Sequence, residues 1–199
     1  LLKKEQEQYQ TTTIVVSHNR AFLRKQLGED CTIEFSSNAY RLNLGMLWDC
    51  DAEAFTRLRH NGNQYEQKGD EEAAIQTYQK AAALYRGDFL EHISREIQWV
   101  ESTRSQMQDT YLAILDRLSI LLLRKKRYTE AIAIAKRILK VDDCIESAHR
   151  YMMTAYTVTG RRSKAIRQYQ LCREALYNTL RVEPTEETNV LYQELTGTD

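Results

Sequence analysis

The side chains best equipped for chemistry in this 199-residue chain offer charge and hydrogen bonds, not a catalytic constellation. Arg124, Lys125, Lys126 and Arg127 form a basic run suited to a phosphate or an acidic protein surface, although such a run between two helices also serves as a solvated turn. Tyr78, Tyr85, Tyr111, Tyr156 and Tyr169 carry rings that can stack on nucleic-acid bases. Their helical spacing places them first in a core or groove. Asp142-Asp143 and Glu186-Glu187 are carboxylate pairs, yet each sits where a helix N-terminus favours negative charge. Cys31, Cys50, Cys144 and Cys172 are scattered with no CxxC pair, and the four histidines are equally dispersed. Structural thiols and no metal site are therefore expected. No Gly-rich phosphate loop occurs, nor any Ser/His/Asp or Cys/His set with supporting context. The expectation is that the chain is not an enzyme and carries no cofactor.

The elements that must position these residues are mostly helical. One Pro and seven Gly are too few for a loop-rich β protein, and the abundance of Leu, Ala, Glu, Lys, Arg and Gln favours helix. Lys plus Arg equals Asp plus Glu, 28 each, so the chain as a whole presents no basic surface for nucleic acid. No apolar run approaches the roughly 20 residues that span a bilayer, and no secretory signal pattern is visible. A cytoplasmic protein with no membrane partner is expected.

Character changes near Trp48. Residues 1–10 are polar and read as linker or frayed helix. Ser17 to Leu27 reads as a helix stopped by Gly28, although the β-branched run 11–16 leaves its start open. Thr32-Ile33-Glu34-Phe35 and Tyr40-Arg41-Leu42-Asn43-Leu44 alternate apolar with polar around Ser36-Ser37-Asn38, predicting a β-hairpin. Beyond Trp48 the 3.6-residue period takes over. A first helix carries Phe55, Leu58, Gly62 and Tyr65. A second, capped by Asp70 and closed by Gly87, carries Ala74, Ile75, Tyr78, Ala82 and Tyr85. After a less regular stretch, 88–99, a long helix turns Met107, Tyr111, Ile114, Leu115, Leu118 and Leu122 inward. A fourth presents Ala131, Ile132, Ala135, Ile138 and Leu139. Asp143 and Glu146 have capping-box spacing before a fifth with Ala148, Met152, Ala155 and Tyr156, ended by Gly160. The sixth shows Ala165, Ile166, Tyr169, Cys172 and Leu176. Thr185 is placed to cap a last helix after Pro184.

Arg127-Tyr128-Thr129-Glu130-Ala131-Ile132 recurs as Arg161-Arg162-Ser163-Lys164-Ala165-Ile166, 34 residues on. That is the period of the tetratricopeptide helix-turn-helix unit. Gly69-Asp70-Glu71-Glu72-Ala73-Ala74-Ile75 is a third instance. Three helix pairs plus a terminal helix can bury one continuous core and leave a concave surface for a partner.

The residues also carry a closer resemblance. Ala83-Leu84-Tyr85-Arg86-Gly87-Asp88-Phe89-Leu90, then Trp99 with Glu101, Arg104 and Tyr111-Leu112, resembles the bacterial transcriptional activator domain of the Streptomyces antibiotic regulatory protein family. Ala148-His149-Arg150-Tyr151-Met152-Met153, the stretch Gly160 to Tyr169, and Val182-Glu183-Pro184-Thr185-Glu186-Glu187-Thr188 with Leu191-Tyr192 continue the likeness in family order. In that family an OmpR-like winged helix precedes the domain. Leu23-Arg24-Lys25-Gln26-Leu27-Gly28, Ile33 and Tyr40-Arg41-Leu42 resemble its final part. The upstream sheet and first helices do not fit into residues 1–13, so they are either omitted from this chain or degenerate.

The resemblance implies that Ser17, His18, Asn19, Arg20, Arg24 and Lys25 lie on a recognition helix, with side chains suited to base edges and phosphates. Residues 11–48 carry four basic and three acidic side chains, a net +1, and a surface helix packed on the repeat module is the competing reading. The expected organisation is residues 1–10 as linker, 11–48 as a partial winged helix and 49–199 as a mainly α, tetratricopeptide-like array of antiparallel helix pairs. The implied function is transcription regulation. The array would bind RNA polymerase, a second copy or a neighbouring signalling domain, and an intact winged helix would bind DNA. The alternative is an adaptor that binds no DNA.

Overall fold

A computed structural model of the chain describes residues 32–36, 39–43, 51–89 and 98–197. They fall into two units, divided after Cys50. In the first, strands β1 (Thr32–Ser36) and β2 (Ala39–Asn43) pair antiparallel, with Ile33 opposite Leu42 and Phe35 opposite Tyr40. The expected helix at 17–27 lies outside the described residues.

The second unit is a succession of seven described helices: α1 (Asp51–Gln67), α2 (Glu71–Leu84), α3 (Gln98–Arg124), α4 (Tyr128–Val141), α5 (Glu146–Val158), α6 (Arg162–Leu180) and α7 (Glu186–Thr196). Short turns join α1 to α2, α3 to α4 and α5 to α6. Each pair packs on itself and on the next, with α7 closing the end against α5 and α6. This is a tetratricopeptide-like array, as the 34-residue period predicts. No helix among the described residues is long and apolar enough to cross a membrane.

The three turns share one hydrogen-bond pattern. Asp70 N donates to Tyr65 O, Arg127 N to Leu122 O and Arg161 N to Tyr156 O, at 2.9, 2.8 and 2.7 Å. In each case the preceding residue takes positive φ: Gly69 at 77°, Lys126 at 60° and Gly160 at 72°. This bond returns a chain to an orphan carbonyl of the helix just ended, and the left-handed residue makes the reversal possible.

One continuous core runs through the pairs. It holds Ile75 and Tyr78 of α2, Ile114, Leu115, Leu118 and Leu122 of α3, Ala131, Ala135 and Ile138 of α4, and Ala148, Met152 and Ala155 of α5. Small residues set the approach of partner helices. A Cβ placed on Gly62 would come within 2.4 Å of Tyr78 Cε1, so α1 and α2 pack this closely only because residue 62 has no side chain.

Polar side chains stitch the pairs together. Arg137 of α4 donates through Nη2 to the Ala82 carbonyl of α2 at 2.8 Å and to Tyr111 Oη of α3 at 2.9 Å. Tyr85 stacks on Tyr111 with ring centroids 4.2 Å apart. That stacking accompanies a departure from the sequence expectation: α2 stops at Leu84, before Gly87, and Tyr85 is extended. Asp70 caps α2 as expected, its Oδ1 accepting from Ala73 N at 3.1 Å.

The capping box expected from Asp143 and Glu146 does not form. Asp142, not Asp143, accepts the Cys144 amide at 2.8 Å, and Ile145 precedes α5 without a side-chain cap. Glu146 turns to α7 instead, accepting from Thr185 N at 2.9 Å, Thr185 Oγ1 at 2.8 Å and Thr188 Oγ1 at 2.6 Å. Thr185 does precede α7, but its hydroxyl serves Glu146 and not the helix backbone.

Candidate functional site

The odd-numbered helices line one face of the array. On it α1 contributes Arg59 and Asn63, and α3 contributes Ala113, Ile114, Asp116 and Arg117, around a recess of about 260 Å³ floored by Tyr78. Further along, Ile120, Leu123 and Arg124 of α3, Arg150, Tyr151 and Thr154 of α5, and Glu187, Val190, Leu191 and Glu194 of α7 line a groove of about 450 Å³. Both recesses set charged side chains beside apolar ones.

Hydrogen bonds fix the end near α1. Tyr78 Oη donates to Asn63 Oδ1 at 2.6 Å, with Glu66 Oε2 also in reach at 3.1 Å. Glu66 is held by Arg117, whose Nε donates to Oε2 at 3.2 Å and whose Nη2 donates to Oε1. Burial first, and then the Glu66 carboxylate, push the Tyr78 phenol up to about 12. The hydrogen bond to Glu66 raises Arg117 in turn. Asp116 accepts from Tyr151 Oη at 2.7 Å and from Ser147 Oγ at 3.3 Å. Burial, and then that bond, lift the Tyr151 phenol far above its ordinary value. At the α7 end Arg150 pairs with Glu187 at 2.9 Å and donates to Thr188 Oγ1 at 3.0 Å. Such a face has preset donors and acceptors beside apolar side chains.

Of the residues singled out from sequence, the six on the expected recognition helix, Ser17, His18, Asn19, Arg20, Arg24 and Lys25, lie outside the described residues. The basic turn is solvated, and its cations meet neighbouring carboxylates. Lys125 pairs with Glu71 at 2.9 Å, Arg124 with Glu71 at 3.6 Å, and Arg127 with Glu72 at 3.2 Å and Glu130 at 2.7 Å. Arg124, Lys125 and Arg127 thus reach Glu71 or Glu72 at the start of α2 while remaining open to solvent. Tyr78, Tyr111 and Tyr156 are buried, and Tyr169 stacks on Tyr192 with centroids 3.9 Å apart, so these rings are packing elements. The side chain of Trp99 is outside the described set. Arg104, in contrast, is buried and donates to the Phe89 carbonyl at 2.9 Å, tying α3 to the stretch after α2. Asp142, Asp143 and Cys144 bring one ligand atom each within 4.8 Å of one another, on a turn whose two carboxylates are exposed.

The contacts Glu66–Arg117 and Asp116–Tyr151 were missed from sequence. A signal existed for the second: a 34-residue step carries Asp116 to Arg150, next to Tyr151 on the adjacent helix. Glu66 and Arg117 stand 51 residues apart, because the irregular stretch after α2 breaks the period.

The family model described as "Bacterial transcriptional activator domain" matches residues 50–196, and the chain belongs to that family. Among curated proteins it is similar to the transcriptional regulatory protein MoaR1 of Mycobacterium tuberculosis, 25% identical over 156 residues. That match takes in 78% of this chain and 50% of MoaR1, so the chain spans about half the length of this relative. Among solved structures it is similar to Mycobacterium tuberculosis EmbR in complex with a low-affinity phosphopeptide, at TM-score 0.67 and 20% identity, covering 82% of this chain and 43% of that one. The TPR2B domain of yeast Sti1, in a pHsp70 complex, matches at TM-score 0.53 and 15% identity, covering 74% of this chain and 99% of that one. The last two likenesses establish the tetratricopeptide-like fold.

Proposed function

We propose that this chain is the effector part of a transcription regulator, in which the helical array makes protein contacts while an adjoining winged helix binds DNA. The observation that carries this reading is the family match over residues 50–196, together with the grooved face of α1, α3, α5 and α7. MoaR1 is named a transcriptional regulatory protein, which supports the same class for the whole protein. The candidate partners of the array are RNA polymerase, a second copy or a neighbouring signalling domain. In this reading residues 11–48 are the end of the winged helix, and the antiparallel pair β1–β2 is its wing. Ser17, His18, Asn19, Arg20, Arg24 and Lys25 then face base edges and phosphates.

The test is selection of genomic DNA fragments by this chain, repeated with Arg20, Arg24 and Lys25 all changed to Ala. Sequence-specific retention abolished by the triple change is the expected result. A chain that retains no DNA even at low salt refutes direct DNA contact by residues 11–48 and leaves this chain a protein-interaction module, the adaptor reading following only if the full-length protein binds no DNA either.

A further inference from the structure

The starts of the three even-numbered helices form a charge series. In the repeat register Asp70, Arg127 and Arg161 are equivalent, as are Ala73, Glu130 and Lys164. The first start is acidic, with Asp70, Glu71 and Glu72. The second is mixed, and its cations are taken up by Glu71, Glu72 and Glu130. The third is wholly basic: Arg161, Arg162, Lys164 and Arg167 are exposed, and no carboxylate of the described residues pairs with any of them. The sequence shows the same bias. From Ser147 to Arg173 there are six Lys and Arg and no Asp or Glu. Cations at a helix N-terminus oppose the macrodipole, and here no acid in the first turn of α6 relieves them. The arrangement is unfavourable in the isolated array and becomes favourable when an anionic partner arrives.

Two exposed apolar side chains flank the cations. Val158, at the end of α5, is 57% exposed. Leu171, one helical turn beyond Arg167 on α6, is 45% exposed. A phosphate backbone would satisfy the charges and leave both aliphatic groups in water. A protein segment carrying acids interleaved with apolar residues would cover both. We infer that the α5–α6 turn and the first turns of α6 form a docking surface for an acidic, amphipathic segment of a protein partner, separate from the grooved face. The inference rests on the reading of this array as a protein-binding module.

The probe is a short fluorescent peptide of glutamates interrupted by leucines, titrated onto the 199-residue chain and followed by anisotropy. The controls are its glutamine counterpart and a labelled DNA duplex. Salt-sensitive peptide binding is expected, about tenfold weaker in R161E/R162E and weakened in R167E, with the glutamine peptide weaker still. K136E/K140E makes the same change in net charge on α4 and is expected to bind as wild type does. All these positions are exposed, and unchanged melting curves will establish that each variant folds. Equal loss in K136E/K140E, equal binding of the glutamine peptide, or no peptide binding overturns the inference. So does duplex binding that the R161E/R162E change abolishes while the peptide is ignored, which would make the patch a phosphate surface. A chain that retains genomic DNA through Arg20, Arg24 and Lys25 yet ignores the peptide loses this inference and keeps the proposed function. The reverse result does the opposite.

Discussion

Glu146, in the first turn of α5, accepts a hydrogen bond from the hydroxyl of Thr188 in α7 at 2.6 Å, across 42 residues of sequence. Thr188 is fully buried, and Glu146 also takes the Thr185 amide and hydroxyl. One carboxylate thus organises the start of the terminal helix. Changing Glu146 to Ala leaves a buried hydroxyl and a helix-start amide without their acceptor, at a cost of about 1–3 kcal/mol. Urea denaturation will measure the loss, and hydrogen exchange is expected to localise it to α7. Unchanged protection of α7 would mean that apolar packing alone holds that helix.

The same carboxylate gives the array an acid limit. Burial raises Glu146, but the hydrogen bonds from Thr188 and Thr185 outweigh it, so its folded pKa lies below the ordinary 4.5. A lowered carboxyl stabilises the fold above its unfolded pKa, and that contribution is lost as pH falls through the folded one. Stability measured from neutral pH downward is expected to drop below about 4.5, and less steeply in E146Q. Parallel curves for the two proteins would refute the assignment.

Tyr78 and Tyr85 set an alkaline limit of opposite sign. Each phenol is pushed up to about 12, by burial first and then by Glu66 or Asp88 respectively. Between the ordinary value of 10 and that one, the folded state holds protons that the unfolded chain releases, so stability declines as pH rises. Tyrosinate absorbance is expected to show Tyr78, Tyr85 and Tyr151 resisting ionisation until unfolding, and one phenol fewer doing so in Y78F.

Gly62→Ala tests the closeness of α1 and α2. The added methyl meets the Tyr78 ring at 2.4 to 2.9 Å, and relieving the overlap by shifting a buried ring is expected to cost roughly 1–3 kcal/mol. The thermal midpoint should fall, and substituting Tyr78 by Leu in the same chain should recover part of it. A wild-type midpoint for G62A would put the helices further apart than described.

His149 supplies the last case. Its Nε2 lies 2.9 Å from the Asp143 carbonyl, which only accepts, so the ring proton is on Nε2 and Nδ1 accepts from the Gln168 amide at 2.7 Å. Both side chains are buried. His149→Leu strands an amide and a carbonyl and is expected to cost about 2–3 kcal/mol, while His149→Gln, able to donate and accept, should cost less. Nitrogen chemical shifts of the ring will report the tautomer.

Much of this architecture is legible in the sequence. Ala131 and Ala165 mark the 34-residue period, the apolar stripes give the even spacing of helices, and Asp70 announces the start of α2. Legibility fails where a side chain chooses a distant partner over a local one. Asp143 and Glu146 have the spacing of a local cap, yet Glu146 gains three donors from Thr185 and Thr188 at the start of α7, more than the box would give it. Tyr85 fits the helical stripe but finds the Tyr111 ring just past the helix end. The pairing of the solvated basic turn with Glu71 and Glu72 is hidden because those residues are more than 50 positions away in sequence. Pairings across repeats become visible only once the period has been folded into space.

Arg137 has a consequence for how the array comes apart. A stack of repeats coupled only through apolar neighbours tends to fray from its ends, one unit at a time. The guanidinium of α4 grips the last turn of α2 and the middle of α3 together, so the first pair cannot detach without stranding a charge-bearing donor against the second. Glu146 does the same at the other end. The domain should therefore melt in a single cooperative step, with matching transitions by fluorescence and circular dichroism, and meet its partners as one stiff body.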